Sequence, residues 1–97
     1  MVIGVLTARL LVRESRSLKD KRQVVRSVLE RLRGQYNVCA SEVDTQDDHR
    51  LATLGFAAVG PEMEVVRGAL QAIQNALRSH PVAEYLGGEI GLGGEVV

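Results

Sequence analysis

The chain has 97 residues, of which 45% are hydrophobic and three are aromatic, and its twelve basic and twelve acidic residues cancel in charge. A chain of this length forms one domain, here residues 1–97, and can bury about 60–70% of its unfolded surface without a stabilising disulfide or metal. Zero net charge excludes a whole-molecule field that attracts nucleic acid or membrane. The single cysteine, Cys39, excludes an internal disulfide and fits a reducing cytoplasm.

The N-terminal segment is the first predicted strand. Residues 2–12 are rich in valine, isoleucine and leucine, which predicts a strand that is apolar on both faces. Arg9 interrupts the segment after eight residues, so it is too short for a membrane helix, and it lacks the basic start of a secretory signal. We therefore expect a cytoplasmic protein that does not bind membranes.

A strongly charged segment, RESRSLKDKR at 13–22, leads into the first predicted helix, which covers about residues 18–33. Ser17 and Asp20 have the spacing of a capping box, and Gly34 is expected to end the helix. The apolar residues fall on one stripe of this helix and the basic residues largely lie off it. The stripe comprises Leu18, Val25, Val28, Leu29 and Leu32, and the residues off it include Lys19, Arg22, Arg26, Glu30 and Arg33.

The second half of the chain contains three predicted strands and one helix. The strands cover residues 36–44, 51–59 and 83–92, with a polar turn between the first two and three glycines that weaken the last. Pro61 is expected at the first position of the second helix, and residues 79–81 end it. Its buried stripe is predicted to be Met63, Val66, Leu70, Ile73 and Leu77. The last four residues are expected to fray.

The resulting order, β-α-β-β-α-β, predicts an α+β fold of the ferredoxin-like type. The fold has a four-stranded antiparallel sheet in the order 4-1-3-2, with both helices on one face. In this arrangement the 13–17 loop, the start of the first helix and the 45–50 turn share one end of the molecule. Opposite charges that are distant in sequence are thereby brought together.

That end is the first candidate site. Segment 13–33 holds eight basic and three acidic residues, a local charge of +5, and segment 42–48 holds four acids and no base. We expect the acids to pair with part of the basic surface. The candidate anion- or nucleic-acid-binding residues are Arg13, Arg16, Ser17, Lys19, Lys21, Arg22 and Arg26, and the acidic partners are Glu42, Asp44, Asp47 and Asp48.

Small ligands are alternatives at the same end. A helix N-terminus with arginines nearby can hold a phosphate, although a capped, solvated helix start explains the same residues. Asp44 or Asp47 could bind a divalent metal or act as a base, but the EF-hand spacing is absent and a solvated hairpin tip is the simpler interpretation. No metal site is therefore assigned.

Catalytic and cofactor motifs are not found in the sequence. Cys39 lies mid-strand with no motif around it and is interpreted as structural. The glycines at 87–94 match no nucleotide-binding pattern, and no helix follows them. An acylphosphatase-like hydrolase would need a glycine-containing loop after the first strand, which is missing. We assign no catalytic residue and no cofactor.

RNA binding and self-association use different surfaces. The third strand contains one aromatic residue, Phe56, which is too few for bases to stack on the sheet. RNA would therefore be bound through its phosphates, by the first helix and the loop before it. The open sheet face is apolar, and we expect a homodimer through it, with twofold symmetry. Scattered surface apolar residues are the alternative interpretation. On this face lie Ile3, Val5, Arg9, Leu11, Thr53, Ala57 and Val59.

Three segments resemble a known family. ESRSLKDKR at 14–22, SEVDTQD at 41–47 and ATLG at 52–55 resemble the YlxP-like family of small bacterial proteins of unknown function. The resemblance implies a ferredoxin-like fold and a gene often found among translation and ribosome-maturation genes. It brings no established reaction and no catalytic residue.

Three functions remain as hypotheses. The first, which the sequence favours, is a non-enzymatic interaction protein that contacts RNA or a ribosomal component through the basic face of the first helix. The second is an enzyme, such as a hydrolase, or a binder of phosphate or divalent metal at the charged end. The third is a purely structural dimeric subunit.

Overall fold

The computed structural model describes residues 1–93, which form one four-stranded antiparallel sheet and two helices. The strand order is β2-β3-β1-β4, which is the predicted order read from the opposite edge. The ferredoxin-like α+β fold is therefore confirmed. The expected fraying of the last four residues concerns a segment outside the described residues. The elements are β1 (Val2–Leu11), α1 (Leu18–Gln35), β2 (Cys39–Glu42), β3 (Leu51–Gly60), α2 (Met63–Arg78) and β4 (Glu84–Gly93).

The core lies between the helices and one face of the sheet. Alternate residues of β1 are buried, and they meet the apolar stripes of both helices. The predicted stripe of α2 is confirmed at four positions, but Met63 is 45% exposed. Side chains of a helix lean towards its N-terminus, so the first helical residue projects past the sheet. Neither helix within residues 1–93 combines the length and the apolar character needed to cross a membrane.

Three elements, α1, β2 and α2, differ from their predicted bounds by more than one residue. Gly34 lies inside α1, because the chain leaves the helix through an extended Tyr36, whose N–H donates to Leu32 O at 2.9 Å. The second strand is shortened to Cys39–Glu42. Pro61 precedes the N-cap residue Glu62 and is not itself helical.

The glycines of β4, which the sequence predicted to weaken the strand, do not interrupt its pairing with β1. A bulge opposite Arg9 is absorbed by Gly87, whose φ of 151° is accessible to glycine and strained for other residues. Gly88 lies under the side chain of Tyr85, and Gln74 Nε2 donates to Tyr85 Oη at 2.6 Å. The strand therefore reaches ten residues, matching β1 along its length.

Candidate functional site

The loop after β1 and the hairpin between β2 and β3 meet at one end of the molecule, as the chain directions predicted. The backbone N–H of Val12 donates to Arg50 O at 2.8 Å, and Arg50 Nε donates to Ser15 O at 3.4 Å. We call this end the charged pole, and it comprises residues 13–22 and 42–50. The two segments that the sequence singled out therefore form one locus.

Lys21 is buried at the centre of the charged pole. Its side chain is 0% exposed, and Nζ donates to Glu42 Oε2 at 2.8 Å, to Leu51 O at 2.9 Å and to Thr45 O. These bonds use all three ammonium hydrogens. The prediction that Lys21 contacts phosphate is therefore wrong, because the residue fastens the hairpin to α1.

A periodic signal could have located Lys21. It precedes Val25, Val28 and Leu32 at helical spacing, and all four residues are buried on the same side of α1. A basic residue in line with an apolar stripe is expected either to extend its head group to solvent or to bond inside the fold. The sequence does not distinguish these outcomes, since the acceptors come from other elements.

Two of the four predicted acidic residues have structural roles. Glu42 bonds Lys21, and its side chain is only 12% exposed. Asp48 Oδ1 accepts from the N–H groups of Leu51 and Arg50, each at 2.8 Å. These two bonds, that of Leu51 first, hold the pKa of the Asp48 carboxyl below its usual value of 3.8. The hairpin therefore uses one acid, Glu42, to bond α1 and another, Asp48, to order its own turn.

The predicted neutralisation of the basic surface is limited to one pair. Within residues 1–93, Lys21–Glu42 is the ion pair that joins the basic and acidic segments. Asp44 and Asp47 are exposed and make no side-chain hydrogen bond in this part of the chain. The acidic hairpin consequently leaves the exposed bases of α1 uncompensated.

The start of α1 is satisfied by its own residues. Ser17 Oγ accepts from the N–H of Asp20 at 3.1 Å, and Asp20 Oδ2 accepts from the N–H of Arg16 at 3.1 Å. The capping box is present, with the carboxylate reaching one residue further back than predicted. An external phosphate at this N-terminus would meet the Asp20 carboxylate. The geometry therefore favours a capped helix start over a phosphate site at Ser17.

Arg13 also has an internal partner. Its Nε and terminal nitrogen both donate to Glu84 Oε1, on the β4 side of the charged pole.

The Arg13–Glu84 pair borders a cavity of about 540 Å³ that the sequence did not reveal. Its lining also includes His80 and Arg78, whose guanidinium is 5.2 Å from the ring centre of Tyr85. Burial, followed by the charge of Arg31, lowers the pKa of His80.

Three cations of α1 that have no partner in the described chain form a row on one face of the helix. Lys19, Arg22 and Arg26 are exposed, and no ion pair or side-chain hydrogen bond engages them within residues 1–93. Their spacing places them on one face of the helix over about 10 Å. We call these three residues the α1 basic row. Arg16, exposed and likewise without an ion pair in the described chain, lies at its N-terminal end.

The position of Arg33 shows where this row faces. Arg33 continues the row by two helical turns, and its guanidinium donates to Ala40 O of β2 at 3.2 Å. The α1 basic row therefore runs along the β2 edge of the sheet. Glu30 follows Arg26 on the same face, and no ion pair joins the two.

The metal and cysteine alternatives gain no geometric support. Among residues 1–93, no three His, Cys, Asp or Glu side chains are grouped so that they could hold a metal ion. Cys39 is exposed in a depression. The two histidines of the sequence, His49 and His80, are the candidate bases for a cysteine nucleophile, and neither of them lines this depression.

Comparison with known sequences assigns the chain to a family. Residues 3–90 match the family described as "Protein of unknown function (DUF503)". The chain belongs to the DUF503 family. It is also 30% identical over 83 residues to "Uncharacterized protein YlxP" of Bacillus subtilis (strain 168), covering 86% of this chain and 90% of that protein. The resemblance carried by the three sequence segments is thus confirmed, and the DUF503 match includes both halves of the charged pole.

Proposed function

We propose that this DUF503 protein is a non-enzymatic, cytoplasmic interaction protein that contacts phosphates of RNA, including RNA of a ribosomal component, through the α1 basic row. One observation carries the proposal: Lys19, Arg22 and Arg26 are exposed on one face, and the acidic hairpin does not pair with them. The unpaired Cys39 agrees with a reducing compartment.

The type of contact follows from the aromatic residues. Phe56 is 1% exposed and belongs to the core, so it cannot stack on a base. Sheet-face stacking of the kind used by RNA recognition motifs is therefore absent from β3. Binding through the α1 basic row would be to the phosphate backbone, with little dependence on sequence.

Salt dependence provides a quantitative expectation. Three phosphate contacts give a slope of log affinity against log salt of about −2 to −3. Affinity should then fall about 15- to 65-fold between 50 and 200 mM salt. The expected association of YlxP-like genes with translation genes supports ribosomal RNA as the first RNA to test.

The test compares two double variants of equal charge. Arg22→Gln/Arg26→Gln removes two members of the α1 basic row, while Arg31→Gln/Arg67→Gln removes two arginines elsewhere. Filter binding to ribosomal RNA across a salt series should show the slope becoming shallower by about 1.4–1.8 for the first variant only. Equal losses in both variants, or wild-type binding that does not respond to salt, would contradict the proposal.

A further inference from the structure

We propose that the outer sheet face, the side of the sheet turned away from both helices, binds a second copy of this chain around a twofold axis. The face is built from residues in register across the strands, which are small or apolar in most positions. Its rows are Gly93–Ile3–Val59, Gly91–Val5–Ala57–Cys39 and Glu89–Thr7–Gly55–Ser41. Val5 and Val59 are 46% and 59% exposed, so large apolar side chains remain uncovered.

One end of this face is already closed by the hairpin. Thr53 was predicted to be open on it, yet Thr53 is only 7% exposed. Its N–H donates to Thr45 Oγ1 at 2.8 Å, and the two hydroxyls lie 3.2 Å apart. The hairpin therefore covers Thr53 and leaves the surface around Val5 and Ala57 for a partner.

The outer sheet face has both a hollow and a projection. A depression of about 460 Å³ lies over Gly55 and Ala57, between Val5 and Val43. Beside it, the side chain of Val59 projects from the same face. In a twofold contact each projection of one copy can meet the hollow of the other, because both copies present the same surface.

The charge of the face also favours a second copy. Arg9 and Glu89 are paired on it at 3.0 Å, and Arg13 with Glu84 closes its end, so the part of the face built from residues 1–93 has no net charge. Identical faces bring like charges together, and only a near-neutral face can meet itself without repulsion. The α1 basic row fails this condition. Within the described residues, both arginines of the outer sheet face are paired, so this face is unsuited to binding the phosphates of RNA.

The available area is near the lower limit for a specific interface. The whole of β1, β3 and β4 measures about 33 Å by about 14 Å, or about 500 Å² per copy; the hairpin already covers the end around Thr53, and β2 adds area at the edge of the sheet. Two copies therefore bury on the order of 1,000 Å². A weak to moderate dimer is expected, with its population set by protein concentration.

The first test exchanges the charges of the face one at a time. Arg9→Glu gives the outer sheet face a net charge of −2, and Glu89→Arg gives it a net charge of +2. Each variant alone should be a monomer of about 10.5 kDa in light scattering, at a concentration where the wild type has twice that mass. A 1:1 mixture should recover the dimer, because the two altered faces attract. Glu64→Arg and Arg67→Glu, which alter an exposed pair on α2, are matched controls and should remain dimeric.

The second test uses the unmodified chain. Cys39 is exposed on the outer sheet face, so the second copy should shield it from iodoacetamide. Its alkylation rate should fall at least threefold as protein concentration rises through the range where the mass doubles, and added RNA should not change it. The proposal would be overturned if the wild type were a monomer at about 1 mM, or if both single charge variants remained dimeric. It would also be overturned if RNA, and not a rise in protein concentration, protected Cys39 from alkylation.

Discussion

Lys21 and Glu42, 21 residues apart in sequence, form a salt bridge at 2.8 Å in which the lysine is fully buried. The same ammonium group bonds two backbone carbonyls of the hairpin and of β3. A buried charge is costly unless all its hydrogens find acceptors. Lys21 therefore ties the two segments by which the family was recognised, and its role is to hold the charged pole together.

Removing this lysine should strongly destabilise the fold. Lys21→Met leaves the Glu42 carboxylate and two carbonyls without their donor, and the expected loss is about 3–5 kcal/mol in the free energy of unfolding. Lys19→Met, two residues earlier and exposed, should change it by less than about 0.5 kcal/mol. Urea denaturation measures both, and a loss below about 1 kcal/mol for Lys21→Met would show that the buried bonds contribute little.

Replacing Gly34 with alanine should stabilise the fold. It is helical, its φ is not positive, and nothing lies within 4 Å of the position a Cβ would take. Gly34→Ala should raise the free energy of unfolding by about 0.5–1 kcal/mol. Gly68→Ala in α2 has equally open surroundings and should behave alike in thermal unfolding. A destabilised Gly34→Ala beside a stabilised Gly68→Ala would contradict the helical position of Gly34.

Gly88 should tolerate no side chain. A Cβ there would collide with Tyr85 Oη and lie 3.0 Å from Thr7 O. Gly88→Ala should cost about 1–3 kcal/mol, because the strand must shift to admit the methyl group. Gly91→Ala, whose nearest neighbour is Val5 Cγ2 at 3.5 Å, is the control and should cost less. Guanidinium titrations that give equal costs for the two would show that β4 does not pack as described.

Asp48 should contribute to acid sensitivity. The N–H groups of Leu51 and Arg50 lower the pKa of its carboxyl below 3.8, so the folded state binds the proton less readily than the unfolded state. The contribution is fully present well above pH 3.8 and is lost as pH falls through the lower folded pKa.

Asp48→Asn tests this contribution. The variant should be less stable than the wild type at pH 7, and the difference should narrow below pH 3.8. Asp47 is an exposed neighbour that makes no such bonds, so Asp47→Asn should have the same free energy of unfolding as the wild type at every pH. Urea titrations from pH 7 to pH 2.5 measure this, and a difference that stays constant with pH would show that the charge of Asp48 is not the cause.

The prediction of the site was less complete than that of the fold. The positions of the charged segments at one pole followed from chain direction. The pairing within the pole did not, since Lys21 and Arg22 are adjacent in sequence and only their helical angle separates a buried residue from an exposed one. Likewise Arg13 pairs with Glu84, 71 residues away, a partner that no local pattern indicates.

The sequence by itself determined the element order, the sheet topology and most of the core, because alternation and helical spacing are local patterns that any apolar interior selects. It also determined that two opposite charges meet at one pole, because connection rules set the direction of each strand. Only the tertiary structure decided which charges are paired there and which remain exposed. Hydrogen bonds of this kind depend on distances of a few tenths of an ångström between distant segments, and residue spacing carries no information on that scale.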